Sequence, residues 1–201
     1  MTCRVIVLAK APLPGLAKTR LAPTLGLAGA ARLAARLLQH TVAQALAADI
    51  GPVELCGEPD GHDPAFGSAI GSCQVLLSAQ GDGDLGQRMR RALHRALTAG
   101  DDVVLIGTDA PALDAAYLCQ AAQALHGADA VFGPTADGGY ALVGLRRPLD
   151  ALFIDMPWST DRVMALTRQR LAASDVRHVE LPMLHDIDEP ADLRHLPAGW
   201  L

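Results

Sequence analysis

The stretch DVVLIGTDAPAL, Asp102–Leu113, decides the fold. Its first five residues form a short apolar run with no polar residue after Asp102. A run of that kind fits a strand covered on both faces, as in a parallel sheet. It stops at Gly107-Thr108-Asp109, with Pro111 close behind. The carboxyl end of such a strand is where α/β sheets present ligands. A single carboxylate there can hold a hard cation whose remaining ligands are water and phosphate. Asp109 could instead cap the following helix, but Asp114 is better placed for that task.

Outward from this stretch, strands and helices alternate. Arg4–Ala9 (RVIVLA) is a second run of the same kind, and 52–56 and 74–77 are weaker strand candidates. Helical patterns cover about 27–48, 85–99, 114–125 and 160–173. Residues 58–72, dense in Gly, Pro and Asp, read as loop. The segments 129–132 and 140–145 are joined by GPTADGG, where Asp-Gly-Gly is a hairpin signal. That pair would add an antiparallel element. Residues 177–181 alternate as a last strand, and LHDIDEPADL closes with a short helix. The pattern predicts an α/β fold with a mixed, mainly parallel sheet, in one domain or in one domain with a small appendage.

Composition narrows the function classes. Half of the 201 residues are hydrophobic but only 3% are aromatic, so the core is built from aliphatic side chains. A net charge of −5 argues against a nucleic-acid binder. The one dense basic run, RMRRALHRAL (88–97), fits the solvated face of a helix. The four cysteines form no CxxC pair, and the apolar start is too short for a signal peptide. No segment reaches the roughly 18–20 apolar residues of a membrane span. These features predict a cytoplasmic protein with reduced thiols.

Both lysines of the chain, Lys10 and Lys18, lie in the loop LAKAPLPGLAKTRLAP (8–23), beside Arg20. The loop follows a strand and precedes a helix, a ligand-presenting position. It is not a Walker A motif, because Gly15 stands three residues before Lys18 rather than next to it. Such a cluster in an acidic chain suits a polyphosphate, although an ordinary solvated loop would read the same way. In DIDEP, Asp186 and Asp188 alternate onto one side and could complete a Mg²⁺ or Mn²⁺ site with Asp109; Asp188 could equally cap the last helix. QGDGDLGQRM (80–89) allows close backbone approach to a nucleoside, or is a turn before a helix capped by Asp84. In MPWST, Trp158 could stack on a sugar, or Thr160 could simply cap a helix.

In this order the blocks LAKAPLPGLAKTRLAP, QGDGDLGQRM, GTDAPAL, GPTADGGYALVGL, PWST and DIDEPADL resemble those of the DUF2064 family. That family is grouped with glycosyltransferases of the nucleotide-diphospho-sugar transferase (GT-A) superfamily. The resemblance spans almost the whole chain. A weaker similarity extends to 2-phospho-lactate guanylyltransferase and molybdenum-cofactor nucleotidyltransferases. The family resemblance implies a Rossmann-like GT-A fold, a three-layer α/β/α sandwich in one domain spanning 1–201, with a nucleotide held by Lys10, Lys18, Arg20, Gln80, Gly83, Asp84, Gly86 and Arg88. It implies a divalent cation, Mg²⁺ or Mn²⁺, at Asp109. TDA offers one carboxylate where the GT-A DxD motif offers two, so Asp186 or Asp188 is the expected further ligand. A small acceptor would lie near Gly138, Gly139, Tyr140, Trp158, Ser159 and Thr160. Asp109, Asp137 and Lys18 would be catalytic, with Asp137 as base or hydroxyl ligand.

Three functions follow as expectations. The first is transfer of a glycosyl group from a nucleotide-diphospho-sugar to a small acceptor. The second is coupling of an NTP to a phosphorylated small molecule with release of pyrophosphate. The third is nucleotide binding without catalysis. Partners are small molecules in each case, with a homodimer left open.

Overall fold

The computed structural model describes residues Thr2–Trp200. Seven strands form one sheet in the order β3-β2-β1-β4-β6-β5-β7. They are β1 (Cys3–Lys10), β2 (Val53–Glu58), β3 (Leu76–Ala79), β4 (Asp102–Ile106), β5 (Ala130–Pro134), β6 (Tyr140–Leu145) and β7 (His178–Glu180). β6 runs antiparallel to both β4 and β5, and all other pairings are parallel. The helices are α1 (Ala22–Ala47), α2 (Pro64–Ile70), α3 (Leu85–Thr98), α4 (Ala115–Leu125) and α5 (Val163–Ala173).

The central strands lack polar alternation because both faces are covered. Val5, Val7 and Ala9 of β1 pack with Leu38 of α1, Phe66 of α2 and Leu118 of α4. Ile6 faces the other way, with Met89 and Leu93 of α3 and Met164 of α5. The result is the expected three-layer, mixed, mainly parallel α/β fold.

Differences from the sequence reading are local. The segment 58–72 is not all loop: Asp63 caps α2 by accepting from Ala65 N, Pro64 opens it, and Phe66 and Ile70 are buried. Two buried apolar side chains four apart drive that short helix, each contributing about 2 kcal/mol by burial. β3 begins two residues later than expected, at the sheet edge. α1 starts earlier, at Ala22, and bends at Gly26 (φ 71°), a conformation that glycine adopts without a Cβ penalty. α5 starts at Val163 behind Arg162, so Thr160 is not its cap; its hydroxyl donates to Pro157 O at 2.7 Å. Asp188 does not cap the final turn either, since Glu189 does so with Asp192. Asp84 and Asp114 cap α3 and α4 as read. The Arg-rich face of α3 is not merely solvated: Arg88 pairs with Glu58, Arg91 bonds the backbone at Gln80 and Asp82, and Arg95 pairs with Glu54. All four cysteines are free thiols.

Two features position the site. The chain leaves β1 toward β2 and β3, then returns to place β4 on the opposite side of β1. A reversal of this kind opens a crevice at the carboxyl ends of the two strands. A third apolar cluster docks the C-terminal segment on α1, with Ile187 fully buried among Leu21, Leu33 and Leu37.

Candidate functional site

A cleft of ≈ 620 Å³ opens at the carboxyl ends of β1 and β4. Its floor is Ala9 and Lys10 from β1 and Gly107, Thr108 and Asp109 after β4. The first loop forms one wall through Lys18, Thr19 and Arg20, pinned by the fully buried Leu21. Gln80, Gly83, Leu85, Arg88 and Met89 form the facing wall, with Glu58 beside them. Tyr140, Ser159, Asp186 and Asp188 complete the rim.

Lys18 ties three distant segments together. Its ammonium lies 2.5 Å from Asp109 Oδ1 and 2.8 Å from Asp188 Oδ1, and donates to Ile187 O at 2.6 Å. Ile187 N donates to Asp109 O at 2.8 Å. Burial of Ile187 fixes the register of the segment, and alternation then turns Asp186 and Asp188 to the cleft. Burial alone would depress the Lys18 ammonium, but Asp109 and Asp188 outweigh it and hold it above its ordinary value. Asp186 is pushed up to about 6, first by burial and then by Asp137, Asp188 and Asp109. The cluster therefore carries more negative charge than Lys18 neutralises.

On the facing wall, Arg88 Nη1 lies 2.6 Å from Glu58 Oε1, and Lys10 Nζ is 3.9 Å from Glu58 Oε2. Arg88 Nε also donates to Gly83 O at 3.0 Å. The buried Gln80 amide donates to Ala9 O at 2.9 Å and to Cys56 O at 3.1 Å, which locks it across β1 and β2. Asp84 faces its own helix: its Oδ1 accepts from Gln87 N at 2.8 Å. Gly86 packs against Trp158, where an added Cβ would come within 2.6 Å of Nε1.

Asp137 Oδ1 accepts from Thr135 Oγ1 at 2.5 Å and from Gly139 N at 2.9 Å, closing the β5–β6 hairpin. Gly138 (φ 89°) is required there, since a Cβ would meet Asp161 O at 2.2 Å. Trp158 stacks on Phe153 and meets Tyr140 edge-on. Burial pushes the Tyr140 hydroxyl well above its ordinary range. Ser159 holds a left-handed backbone (φ 63°), a strained state that tends to occur at functional positions.

Of the residues singled out in the sequence, Lys10, Lys18, Arg20, Gln80, Gly83, Arg88, Asp109, Tyr140, Ser159, Asp186 and Asp188 line one cleft. Asp84, Gly86, Asp137, Gly138, Gly139, Trp158 and Thr160 are not among the residues that line it. Sequence reading passed over Glu58, Thr108 and Ile187. Ile187 could have been found as the apolar residue between two aspartates. Glu58 had no signal, because its partners come from other strands and helices.

Among the described residues, no group of three or more His, Cys, Asp or Glu side chains is gathered as a metal cluster. Asp109 and Asp188, which converge on the Lys18 ammonium, are oxygen donors of the kind that could hold Mg²⁺ or Mn²⁺, since these ions keep several waters and take few protein ligands. The Lys18 ammonium already stands as a cation between them. No helix among the described residues is long and apolar enough to cross a membrane.

Comparison with known proteins bears on this arrangement. No match is found among curated proteins. An inferred nucleotide-diphospho-sugar transferase from Desulfovibrio desulfuricans G20 is 30% identical, with a TM-score of 0.88 over 96% of this chain and 85% of that one. A nucleotidyl transferase from Methanothermobacter thermautotrophicus superposes with a TM-score of 0.68 at 17% identity, over 99% of this chain and 97% of its own. Rv0371c of Mycobacterium tuberculosis H37Rv, in complex with manganese, superposes with a TM-score of 0.62 at 18% identity, over 99% and 100%. The last two share the fold. The family model DUF2064, an uncharacterized protein conserved in bacteria, matches residues 41–160. The chain thus has the nucleotide-diphospho-sugar transferase fold and belongs to the DUF2064 family.

Proposed function

We propose that this protein is a divalent-cation-assisted transferase that binds a nucleotide-diphospho-sugar and moves the glycosyl group to a small acceptor. One observation carries the reading: a single cleft at the β1/β4 switch point gathers Lys10, Arg20 and Arg88 together with the Lys18–Asp109–Asp188 cluster and Asp186. Cations for phosphate and carboxylates for a metal ion thereby face the same space. The name given to the Desulfovibrio relative and the manganese in the Mycobacterium structure support it.

In this reading Leu8, Leu16 and Met89 offer apolar contact to the nucleobase, and Gln80 and the Gly83 backbone lie beside it. Lys10, Arg20 and Arg88 draw the diphosphate into the cleft and neutralise the charge that grows on it as the sugar leaves. Asp109, Asp188 and Asp186 would hold Mg²⁺ or Mn²⁺, which supplies Lewis-acid stabilisation to the same phosphates. Tyr140 and Ser159 shape the acceptor side. Asp137 orients the acceptor hydroxyl or takes its proton as the oxygen bonds to the anomeric carbon. The bond from that carbon to the diphosphate breaks, and the nucleoside diphosphate leaves.

A second reading, nucleotidyl transfer from an NTP with release of pyrophosphate, is favoured by the number of cations. Lys10, Lys18, Arg20 and Arg88 all line the cleft, which is generous for a diphosphate. Thermal unfolding with Mg²⁺ or Mn²⁺ and a panel of NTPs, NDPs and NDP-sugars separates the two, because a ligand of the folded state raises Tm. A rise with one NDP-sugar and its NDP, absent in Asp109→Asn, is the result expected. A rise with an NTP alone would move the assignment to nucleotidyl transfer. No rise with any nucleotide would sink both.

A further inference from the structure

The chain has two lysines, eight residues apart, and the fold gives them opposite environments. The Lys10 side chain is 56% exposed, whereas that of Lys18 is 7% exposed. Three acceptors surround the Lys18 ammonium: Asp109 Oδ1, Asp188 Oδ1 and Ile187 O. A lysine has three protons to give. Donating to all three, Lys18 has none left for a phosphate, although it lines the cleft where the phosphates would lie.

Its place is also informative. It bridges carboxylates from two remote segments, where a divalent cation could draw on both. The carboxylates are half open to the cleft, 43% exposed for Asp109 and 40% for Asp188. The Lys18 backbone is left-handed (φ 50°), a state that a side-chain-bearing residue keeps only while its surroundings enforce it. The loop before it is exposed at 13–15, and nothing lies within 4 Å of a Cβ built on Gly15. Buried Ala17 and Leu21 hold the backbone on either side, so release of the carboxylates is a movement of the Lys18 side chain.

We infer that Lys18 is a displaceable internal cation. It closes the Asp109–Asp188 pair in the free protein and gives up that place when a divalent cation binds, which frees its ammonium for phosphate in the same step. The inference rests on the cation site of the proposed function. It adds that cation and nucleotide must bind cooperatively, because each favours the state in which Lys18 has left the carboxylates. It also adds that the free protein binds metal weakly, since the competent state is a minor one.

Two lysines make the test direct. In ¹⁵N spectra of the lysine ammonium groups, Lys18→Arg assigns the two signals. The free protein should show one ammonium protected from solvent exchange, Lys18, and one that exchanges fast, Lys10. Mg²⁺ without nucleotide should abolish the protection of Lys18 and leave Lys10 unchanged. An unchanged Lys18 signal at Mg²⁺ concentrations that displace Mn²⁺ would overturn the inference, because the metal would then bind in front of a permanent ion pair. Mn²⁺ titrations followed by electron paramagnetic resonance give the second readout. Lys18→Gln should bind Mn²⁺ about tenfold more tightly than wild type. A nucleoside diphosphate should tighten Mn²⁺ binding by about tenfold in wild type and by less in Lys18→Gln. Equal or weaker Mn²⁺ binding by Lys18→Gln, or none by either protein, would sink it. Failure of every nucleotide to raise Tm would defeat the proposed function while leaving the Mn²⁺ result on free protein standing.

Discussion

The two ends of the sheet each carry a cluster of ion pairs, and they are built differently. Toward the amino ends of β1 and β2, Glu54 is buried and satisfied. Its Oε1 accepts from Ser78 Oγ at 2.6 Å and from Arg95, and its Oε2 accepts from Arg4 at 3.2 Å. Arg4 goes on to Asp101 at 2.7 Å. Two carboxylates meet two guanidinium groups, so charge balances. At the carboxyl ends, Asp109 and Asp188 share one ammonium, with Asp186 and Asp137 close by. The first cluster is closed in charge and in hydrogen bonds. The second is short of positive charge and opens on a cleft. The difference separates a group of charges that holds the fold from one that, under the proposed function, would take a cationic ligand.

The comparison can be broken by mutation. Glu54→Ala leaves Arg95 without a carboxylate and Arg4 with Asp101 alone, and should cost about 3 kcal/mol of unfolding free energy. Urea unfolding measures it, and a loss below 1 kcal/mol would show that the cluster is not structural. Asp109→Asn should do the reverse. Cation-dependent nucleotide affinity should fall by about 100-fold, while unfolding free energy changes by less than about 1 kcal/mol. Calorimetry and urea unfolding on the same variant decide whether the two ends differ as stated.

Acid sharpens the contrast. Burial would raise the Glu54 carboxyl, but Ser78 and Arg95 outweigh it and hold the group below its ordinary value of 4.5. A lowered folded value means that the stabilisation is present above pH 4.5 and is lost as pH falls through the lower folded value. The stability gap between wild type and Glu54→Gln should therefore shrink on acidification below pH 4.5. A gap that persists there would contradict it. The exposed pair Arg168–Glu180, bidentate at 2.7 Å, gives the lower bound of the scale. Arg168→Ala should cost only about 0.5 kcal/mol, read by the same unfolding curves.

How much of this was legible in the sequence depended on the distance over which each residue acts. β1 and β4 were plain, because burial on both faces writes itself as an unbroken apolar run. The caps Asp84 and Asp114 were plain as well, since a cap acts within one turn. α2 was hidden by the Gly, Pro and Asp residues around it, though Asp63-Pro64 and the Phe66/Ile70 spacing were its signature. β3 was misplaced because Leu76 and Leu77 sit exposed on an edge, where burial gives no pattern. The aspartates of DIDEP were visible by alternation. Glu58 was not, since its meaning comes from Arg88 and Lys10, which only the fold brings near.

The docking of Ile187 beside Asp109 has a consequence for biosynthesis. The first half of the cleft is made when β4 is made, but Asp186 and Asp188 arrive only after all seven strands have been synthesised. A nascent chain still missing that segment can form its sheet and cover both faces. It cannot yet complete the cleft, so on the ribosome the cleft is among the last parts of the molecule to come into existence.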